Sequence, residues 1–96
     1  MTQLIIDAIN NLQVLKFTYS GIDRVVEPHA IGISSTGKIL LRCFQTLGGH
    51  VTPGHEWDLC ELSKISNLSF SGDYFQTPRP GYRKGDSHMI RIFAQL

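Results

Sequence analysis

Charge is sparse in this sequence and nearly balanced in sign. Charged residues make up 18% of the chain, and the formal net charge is +1 at pH 7. This balance excludes the strong basic field typical of histone-like proteins, so any electrostatic site must be a local cluster of side chains. The longest apolar runs, such as residues 39–41, are far too short to cross a bilayer. We therefore expect a soluble protein, and 96 residues suffice for one small domain with a modest core.

Cysteine is also scarce, with Cys43 and Cys60 as the two in the chain. The N-terminus lacks the basic segment, apolar core and cleavage site of a secretory signal, which favours a cytoplasmic protein with no membrane association. In that compartment we expect both cysteines to be reduced and buried. A disulfide between them is the alternative.

No arrangement of residues indicates catalysis or a metal centre. The 8 acidic residues are scattered, and no spacing singles out a pair of carboxylates for acid–base chemistry. A Gly-rich phosphate loop is missing as well. The spacing of His50, His55 and Cys60 does not match a zinc pattern, and there is no Cys-x-x-Cys pair. We expect no enzymatic activity, no metal and no cofactor.

Hydrophobic periodicity predicts one short helix followed by short strands. Apolar residues recur at helical spacing over residues 2–12. Alternation then predicts strands over 15–19, 24–33, 38–45 and 57–62, a short fifth strand near 65–70, and a possible last strand over 89–96. Turns are expected over 20–23, 34–37 and 71–73, and the main loop over 47–56. We expect residues 39–41 to lie between a core and the helix, because this strand is apolar on both faces.

These elements indicate a mainly β protein, a small Sm-like or SH3-like barrel of five or six short antiparallel strands preceded by one N-terminal helix. Pro28 cannot donate to a ladder, so its strand must be at an edge, bulged or bent there. No linker is apparent, and we expect a single domain over 1–96. It comprises the helix (2–12), the barrel strands (15–70) and a basic, aromatic tail (71–96) in which residues 74–86 have no regular structure.

The order of these pieces resembles that of the WYL domain. The helix IIDAINN, the strand LKFTY, the run RVVEPHAIG and the segment ELSKISNL follow one another in the chain. The most specific matches are Tyr19 followed by Arg24-x-x-x-Pro28, and Leu62-x-Lys64-Ile65. The run FQTPRPGYRKGD is similar to the tail of short standalone members of this family.

The resemblance implies a regulatory function. WYL domains are Sm-like or SH3-like barrels of bacterial transcription regulators and defence-associated proteins. They are generally proposed to sense ligands, nucleotides or nucleic acids above all, and to modulate a linked DNA-binding domain or enzyme. The chain has no room for a helix-turn-helix, so we expect a standalone sensor that binds an anionic ligand and modulates a separate protein partner.

Seven residues are candidate ligand contacts: Arg24, His29, Arg42, Arg79, Tyr82, Arg83 and Lys84. Arginine presents a rigid fork that suits phosphate or carboxylate. Basic residues interleaved with aromatics, as over 79–84, can follow a phosphate backbone and stack on bases. The resemblance places Arg24 first among the seven.

Each of these residues also has a structural interpretation. Arg24 could instead form an ion pair with Asp23 or Glu27, which on a surface is common and weak. His29 follows a proline on a strand and fits a satisfied structural histidine. The tail could serve as a strap packed across the barrel through Tyr74, Phe75 and Tyr82.

A second functional hypothesis is a protein–protein adaptor or homo-oligomer without a small ligand, because the edges of small barrels pair readily. Pro28 and the last strand, MIRIFAQL, are the places where such an edge is expected. Trp57 begins an apolar strand, which favours a core position, and its alternative is an exposed interface anchor.

Overall fold

The computed structural model describes residues 1–49 and 54–96. Its elements are α1 (Thr2–Asn10), β1 (Gln13–Tyr19), β2 (Ile22–Ile33), β3 (Ile39–Gly48), β4 (Trp57–Glu61), a 3-10 turn (Leu62–Lys64), β5 (Ile65–Tyr74) and β6 (Arg91–Gln95). The strands form one antiparallel sheet in the order β4-β3-β2-β1-β5, with β6 beside β2. The prediction of a mainly β fold with one N-terminal helix is confirmed. Part of the predicted loop, with His50 and residues 51–53, lies outside the described residues.

Strand β2 is the longest in the sheet, and it pairs with three others. Its first half pairs with β1 and its second half with β6, while β3 runs along the opposite edge of both halves. The register against β3 shifts between Pro28 and Ala30, as it does at a β-bulge. Of the three alternatives predicted at Pro28, an edge, a bulge or a bend, the structure has the bulge. The bulge lets one strand bend and serve both ends of a small curled sheet.

The sheet curls without closing, so it is barrel-like only approximately. Its two end strands, β4 and β5, are not paired with each other in the part of the chain that the structure describes. Two side chains reach β4 across the inner face of the sheet. The Glu61 N–H donates to the Tyr19 hydroxyl at 3.2 Å, and Arg24 Nη1 lies 3.4 Å from Asp58 Oδ2. We use the name seam for the group of five residues Tyr19, Arg24, Gln45, Asp58 and Glu61.

The main core lies between α1 and the inner face of the sheet. The helix contributes Ile5, Ala8 and Ile9, and the strands contribute residues such as Leu15 and Leu41, all of them fully or almost fully buried. The helix ends at Asn10 rather than at residue 12, because two consecutive asparagines favour the backbone conformations of turns. Cys43 and Cys60 are buried in this core and are not joined by a disulfide.

Two sequence-based expectations about β5 and β3 are wrong. Residues 71–73 do not turn the chain, because β5 continues to Tyr74 and accommodates Gly72, at φ 95°, as an irregularity within the strand. The outer face of β3 is not covered by the helix. Leu40 packs instead against Ala30 and Met89, a residue of the C-terminal tail. Within the described ranges, no helix is long and apolar enough to span a membrane.

Candidate ligand-binding site

Residues 75–90, which we call the strap, link β5 to β6 and cross the outer face of β2, β3 and β4. The strap contains no helix or strand, as predicted for most of this segment. Phe75 at its start is 7% exposed, and near its end the Ile90 N–H donates to the Ile33 carbonyl at 2.8 Å. Tyr74, by contrast, ends β5 and is 69% exposed. The strap is therefore packed on the barrel through Phe75, with Tyr74 outside it.

His29 holds the middle of the strap, and none of its surface is exposed. Its Nδ1 lies 2.8 Å from the Glu27 carbonyl oxygen, which can only accept, so Nδ1 carries the proton. Its Nε2 accepts a hydrogen bond from the backbone N–H of Arg79 at 3.0 Å. Both ring nitrogens are thus used, and the neutral Nδ1–H tautomer satisfies both contacts. Burial is the main cause that lowers the pKa of His29.

The Arg79 side chain adds a second contact at the same place. Its guanidinium donates two hydrogen bonds to the Glu27 carboxylate, from Nε at 2.7 Å and from Nη2 at 2.9 Å. It also lies over the Phe44 ring, 4.7 Å from the centroid. The bidentate bonds raise the pKa of Arg79 further. The Glu27 carboxylate is thereby compensated, although it is almost buried.

Aromatic rings surround the imidazole of His29. The ring centroids of Trp57, Tyr82 and Phe75 lie 4.7, 5.1 and 5.8 Å from that of His29. Trp57 also contacts Phe44 edge-on, with 5.3 Å between centroids. The Tyr82 hydroxyl donates to the Leu96 carbonyl at 3.2 Å. Trp57 is half-buried on the outer face, beneath the strap, rather than in the main core.

The second half of the strap leaves an open cleft against β3 and β4. The cleft has a volume of about 380 Å³. Its floor is formed by Arg42 and Trp57, and its wall is the run of residues 81–88. The Gly85 N–H donates to Gln95 Oε1 at 3.0 Å, which fixes this wall to β6. Backbone and side-chain polar groups therefore line the cleft next to an aromatic ring.

Arg42 is held at the floor of the cleft by Asp86. Its Nε donates to Asp86 Oδ2 at 2.7 Å, and the His88 backbone N–H donates to Oδ1 at 2.9 Å. Burial opposes ionisation of Asp86, but these hydrogen bonds outweigh it, and the pKa of this carboxyl is lowered. The His88 ring Nδ1 lies 3.2 Å from Oδ1. The charge of Arg42 is thus already compensated within the protein.

Two cations of the cleft remain. Arg83 and Lys84 are both exposed. Across residues 1–49 and 54–96, no ion pair or side-chain hydrogen bond involves either of them. They stand beside each other in the cleft wall, next to Tyr82. These are the residues with charge available for an anion.

Arg24, the first candidate in the sequence, lies in the seam and not in this cleft. Its side chain is 12% exposed and contacts Asp58, Gln45 Oε1 and the Tyr19 carbonyl, each at 3.4 Å. Its Nε is buried and has no hydrogen-bond partner among the described residues. Burial raises the pKa of Asp58 in spite of the nearby guanidinium. Arg24 pairs with neither Asp23 nor Glu27, and it serves to join β2 to β4.

The structure therefore divides the seven predicted residues. Four line the cleft together: Arg42, Tyr82, Arg83 and Lys84. His29 and Arg79 anchor the strap to the sheet, and Arg24 lies in the seam. Asp86 and His88 were not predicted, because their contacts with Arg42 join positions 44 and 46 residues apart and leave no signal in spacing.

Comparison of the chain with protein-family models, with curated proteins and with solved structures gave no match in any of the three. The resemblance to the WYL domain therefore stays a prediction.

Proposed function

We propose that this protein is a non-catalytic binding module whose cleft holds a nucleotide or a segment of single-stranded nucleic acid. One observation carries the proposal: two exposed cations, Arg83 and Lys84, line the same cleft as the aromatic ring of Trp57. Cations beside an aromatic ring suit a ligand that combines phosphate with a flat base.

The aromatic part of the site is Trp57. Its indole ring is half-buried, and it is roughly parallel to the Tyr82 ring, with 22° between planes and 6.3 Å between centroids. Every base has a π-face, so stacking on such a ring tolerates any sequence, and it is worth about 1–3 kcal/mol per base. The packing of Trp57 against Phe44 and His29 fixes the ring before a ligand arrives.

The charged part of the site determines which ligands enter. Arg42 is neutralised by Asp86, and an incoming phosphate therefore meets Arg83 and Lys84 first. A volume of about 380 Å³ is at the lower end of the range for small-molecule pockets. One nucleotide, free or within a strand, fits this size better than a folded nucleic acid does.

The proposal keeps the regulatory function that the resemblance implies. Occupation of the cleft would change the charge and shape of the surface that residues 81–88 form, and a separate partner protein would recognise that surface. The two buried thiols are consistent with a reducing, cytoplasmic compartment.

Fluorescence anisotropy with a labelled ten-residue oligothymidylate tests the proposal directly. We expect binding that weakens with salt, with a slope of log K against log salt of about −0.7 for each phosphate contacted. Unlabelled AMP and ATP, added as competitors, distinguish a nucleotide from a strand. Absence of binding at low salt by the folded protein, to the oligonucleotide and to both nucleotides, would contradict the proposal.

Matched variants locate the contact. Lys84→Gln and Arg83→Gln each remove one exposed cation from the cleft wall. Lys16→Gln and Arg91→Gln remove the same charges from exposed positions that do not line the cleft. We expect the first pair to weaken binding and to reduce the salt slope by about 0.7 each, and the second pair to have little effect.

The second candidate function is self-association, and one observation favours it. Strand β5 is an end of the sheet, and it exposes Phe70 by 44% and Tyr74 by 69%. Of the two edges predicted from the sequence, Pro28 lies inside β2, whereas β6 pairs with β2 alone among the described strands and stays a second candidate edge. Light scattering at high protein concentration tests this: a dimer that Phe70→Lys abolishes supports it, and a strict monomer contradicts it.

A further inference from the structure

We propose that protonation of His29 releases the strap, so that the cleft is assembled at neutral pH and dismantled in mild acid. The inference deepens the proposed function, and its ligand-binding part rests on that function. The release itself does not, because it follows from the contacts of His29 alone.

The first step is the hydrogen-bond pattern of the imidazole. Its Nδ1–H already donates to the Glu27 carbonyl, and its Nε2 accepts from the Arg79 backbone N–H at 3.0 Å. A second proton can only be added at Nε2. It would then face the Arg79 N–H, which is also a donor, and the hydrogen bond that holds the strap would be lost.

The second step concerns the charges that face the ring. On its own strand these are the carboxylate of Glu27, and on the strap they are the guanidinium of Arg79 and the hydroxyl of Tyr82. Strand β4 contributes Trp57 and the start of the strap contributes Phe75, neither of which titrates. Because Glu27 already pairs with Arg79, a protonated imidazole would be a second, uncompensated positive charge in a closed site.

The direction of the effect follows from linkage. The pKa of His29 is lowered from its usual value of 6.5 while the strap is in place, chiefly by burial. A released, solvated imidazole takes up a proton more readily, so the released state binds more protons as the pH falls. Acid therefore favours release, and the closed state is favoured above the ordinary pKa.

The strap can leave without unfolding the domain. The main core draws its side chains from α1, the sheet and the 3-10 turn, whereas Met89 of the strap packs in a separate small cluster with Ala30 and Leu40. Segments with few buried apolar contacts open locally at a lower cost than global unfolding. Release would move residues 81–88, including Tyr82, away from β3 and β4, and the wall of the cleft would be lost.

Simple electrostatics predicts the opposite effect on binding. A protein gains net positive charge as the pH falls, which should strengthen its attraction for an anion. Release of the strap on protonation of His29, which we call the latch, predicts weaker binding in acid instead. The sign of the pH dependence therefore separates the two.

Nuclear magnetic resonance of the unliganded protein tests the release. Long-range 1H–15N spectra report the tautomer of His29, and hydrogen exchange reports the Arg79 amide. We expect an Nδ1–H tautomer and a protected Arg79 amide at pH 7.5. Protection should be lost together with protonation of His29 at a pH below 6.5 while the core amides of β2 and β3 stay protected. An Arg79 amide that stays protected after His29 is protonated would overturn the proposal.

Binding of the oligothymidylate tests the consequence. We expect affinity to fall between pH 7.5 and pH 5, because only the closed state binds and the apparent affinity falls in proportion to the fraction of closed protein. His88→Gln should keep this fall. His29→Gln, whose side-chain oxygen can still accept from the Arg79 N–H, should lose it, and an undiminished fall in that variant would contradict the latch. If nothing binds at pH 7.5, the proposed function fails, and the amide measurement still decides the latch.

Discussion

The seam and the cleft each contain an arginine paired with a carboxylate, yet their surroundings differ. In the seam, Arg24 is directed to the inner face, is 12% exposed, and reaches Asp58 at 3.4 Å. In the cleft, Arg42 is held by Asp86 at 2.7 Å, and two exposed cations stand beside the pair. An arginine enclosed by its own protein supports the fold, whereas cations that the fold leaves exposed beside an aromatic ring are available to a ligand. This division predicts that substitutions in the seam change stability, whereas substitutions in the cleft change ligand binding.

The largest effect is expected in the seam. Arg24→Met leaves the Asp58 carboxylate and Gln45 without their partner, and because Asp58 is partly exposed we expect a loss of about 2–3 kcal/mol in the free energy of unfolding. Oligonucleotide affinity should hardly change. Urea denaturation and anisotropy measure the two quantities.

The double variant Arg24→Met/Asp58→Leu is the control for that prediction. An ion pair replaced as a whole by apolar residues is often no less stable, so the double variant should recover much of the loss. Loss of ligand binding by a folded Arg24→Met protein would place the ligand in the seam and contradict the division.

The next effect is expected at the floor of the cleft. Trp57→Leu removes the stacking surface, and we expect binding of the oligothymidylate to weaken by about 2 kcal/mol. Phe70→Leu is the matched control, because Phe70 is an exposed aromatic residue of β5 that does not line the cleft. Equal effects of the two substitutions on affinity would show that Trp57 has no special part in binding.

A smaller effect is expected where the strap is anchored. Arg79→Gln leaves the almost buried carboxylate of Glu27 without its bidentate partner, and we expect a loss of about 1 kcal/mol in stability. The Arg79 amide should exchange faster, because the strap opens more often. Arg83→Gln, a neighbouring exposed arginine, should leave both quantities unchanged, and a similar loss in both variants would argue against an anchor at Arg79.

The smallest expected effect is a gain in ligand affinity rather than a loss. Asp86→Asn removes the one carboxylate that lines the cleft in the described part of the chain, and it frees Arg42. We expect affinity for the oligonucleotide to rise by about 0.5 kcal/mol while the protein becomes slightly less stable. Calorimetric titration and thermal unfolding measure these changes. Weaker binding by this variant would contradict the prediction, since it would mean that the Arg42–Asp86 pair maintains the shape of the cleft and that this outweighs the repulsion between the Asp86 carboxylate and the ligand.

Much of the fold was predictable from local patterns. The alternation around Phe17 and the turn at Gly21, which has a φ of 72°, correctly predict the first hairpin. The length of β5 was not predictable, because an end strand with little buried surface has no clear alternation. Its Ser-Gly-Asp run therefore has the composition of a turn.

The site was predictable only where its residues are neighbours in sequence. The run from Tyr82 to Lys84 indicates an aromatic, basic segment directly. The pairs Arg24–Asp58 and Arg42–Asp86 join residues 34 and 44 positions apart, and composition cannot say which arginine each carboxylate meets. The resemblance to the WYL domain ranks Arg24 first among the candidates, and no pattern in the sequence shows that the fold encloses it.

Mapping the ligand by 1H–15N chemical shifts tests the central claim most directly. During titration with oligothymidylate at pH 7.5, we expect the largest shifts at the backbone amides of residues 81–88 and at the indole N–H of Trp57. The chemical shift of the Arg24 Nε–H should not change. Shifts centred on Arg24 and its neighbours in β1, with residues 81–88 unchanged, would contradict the account.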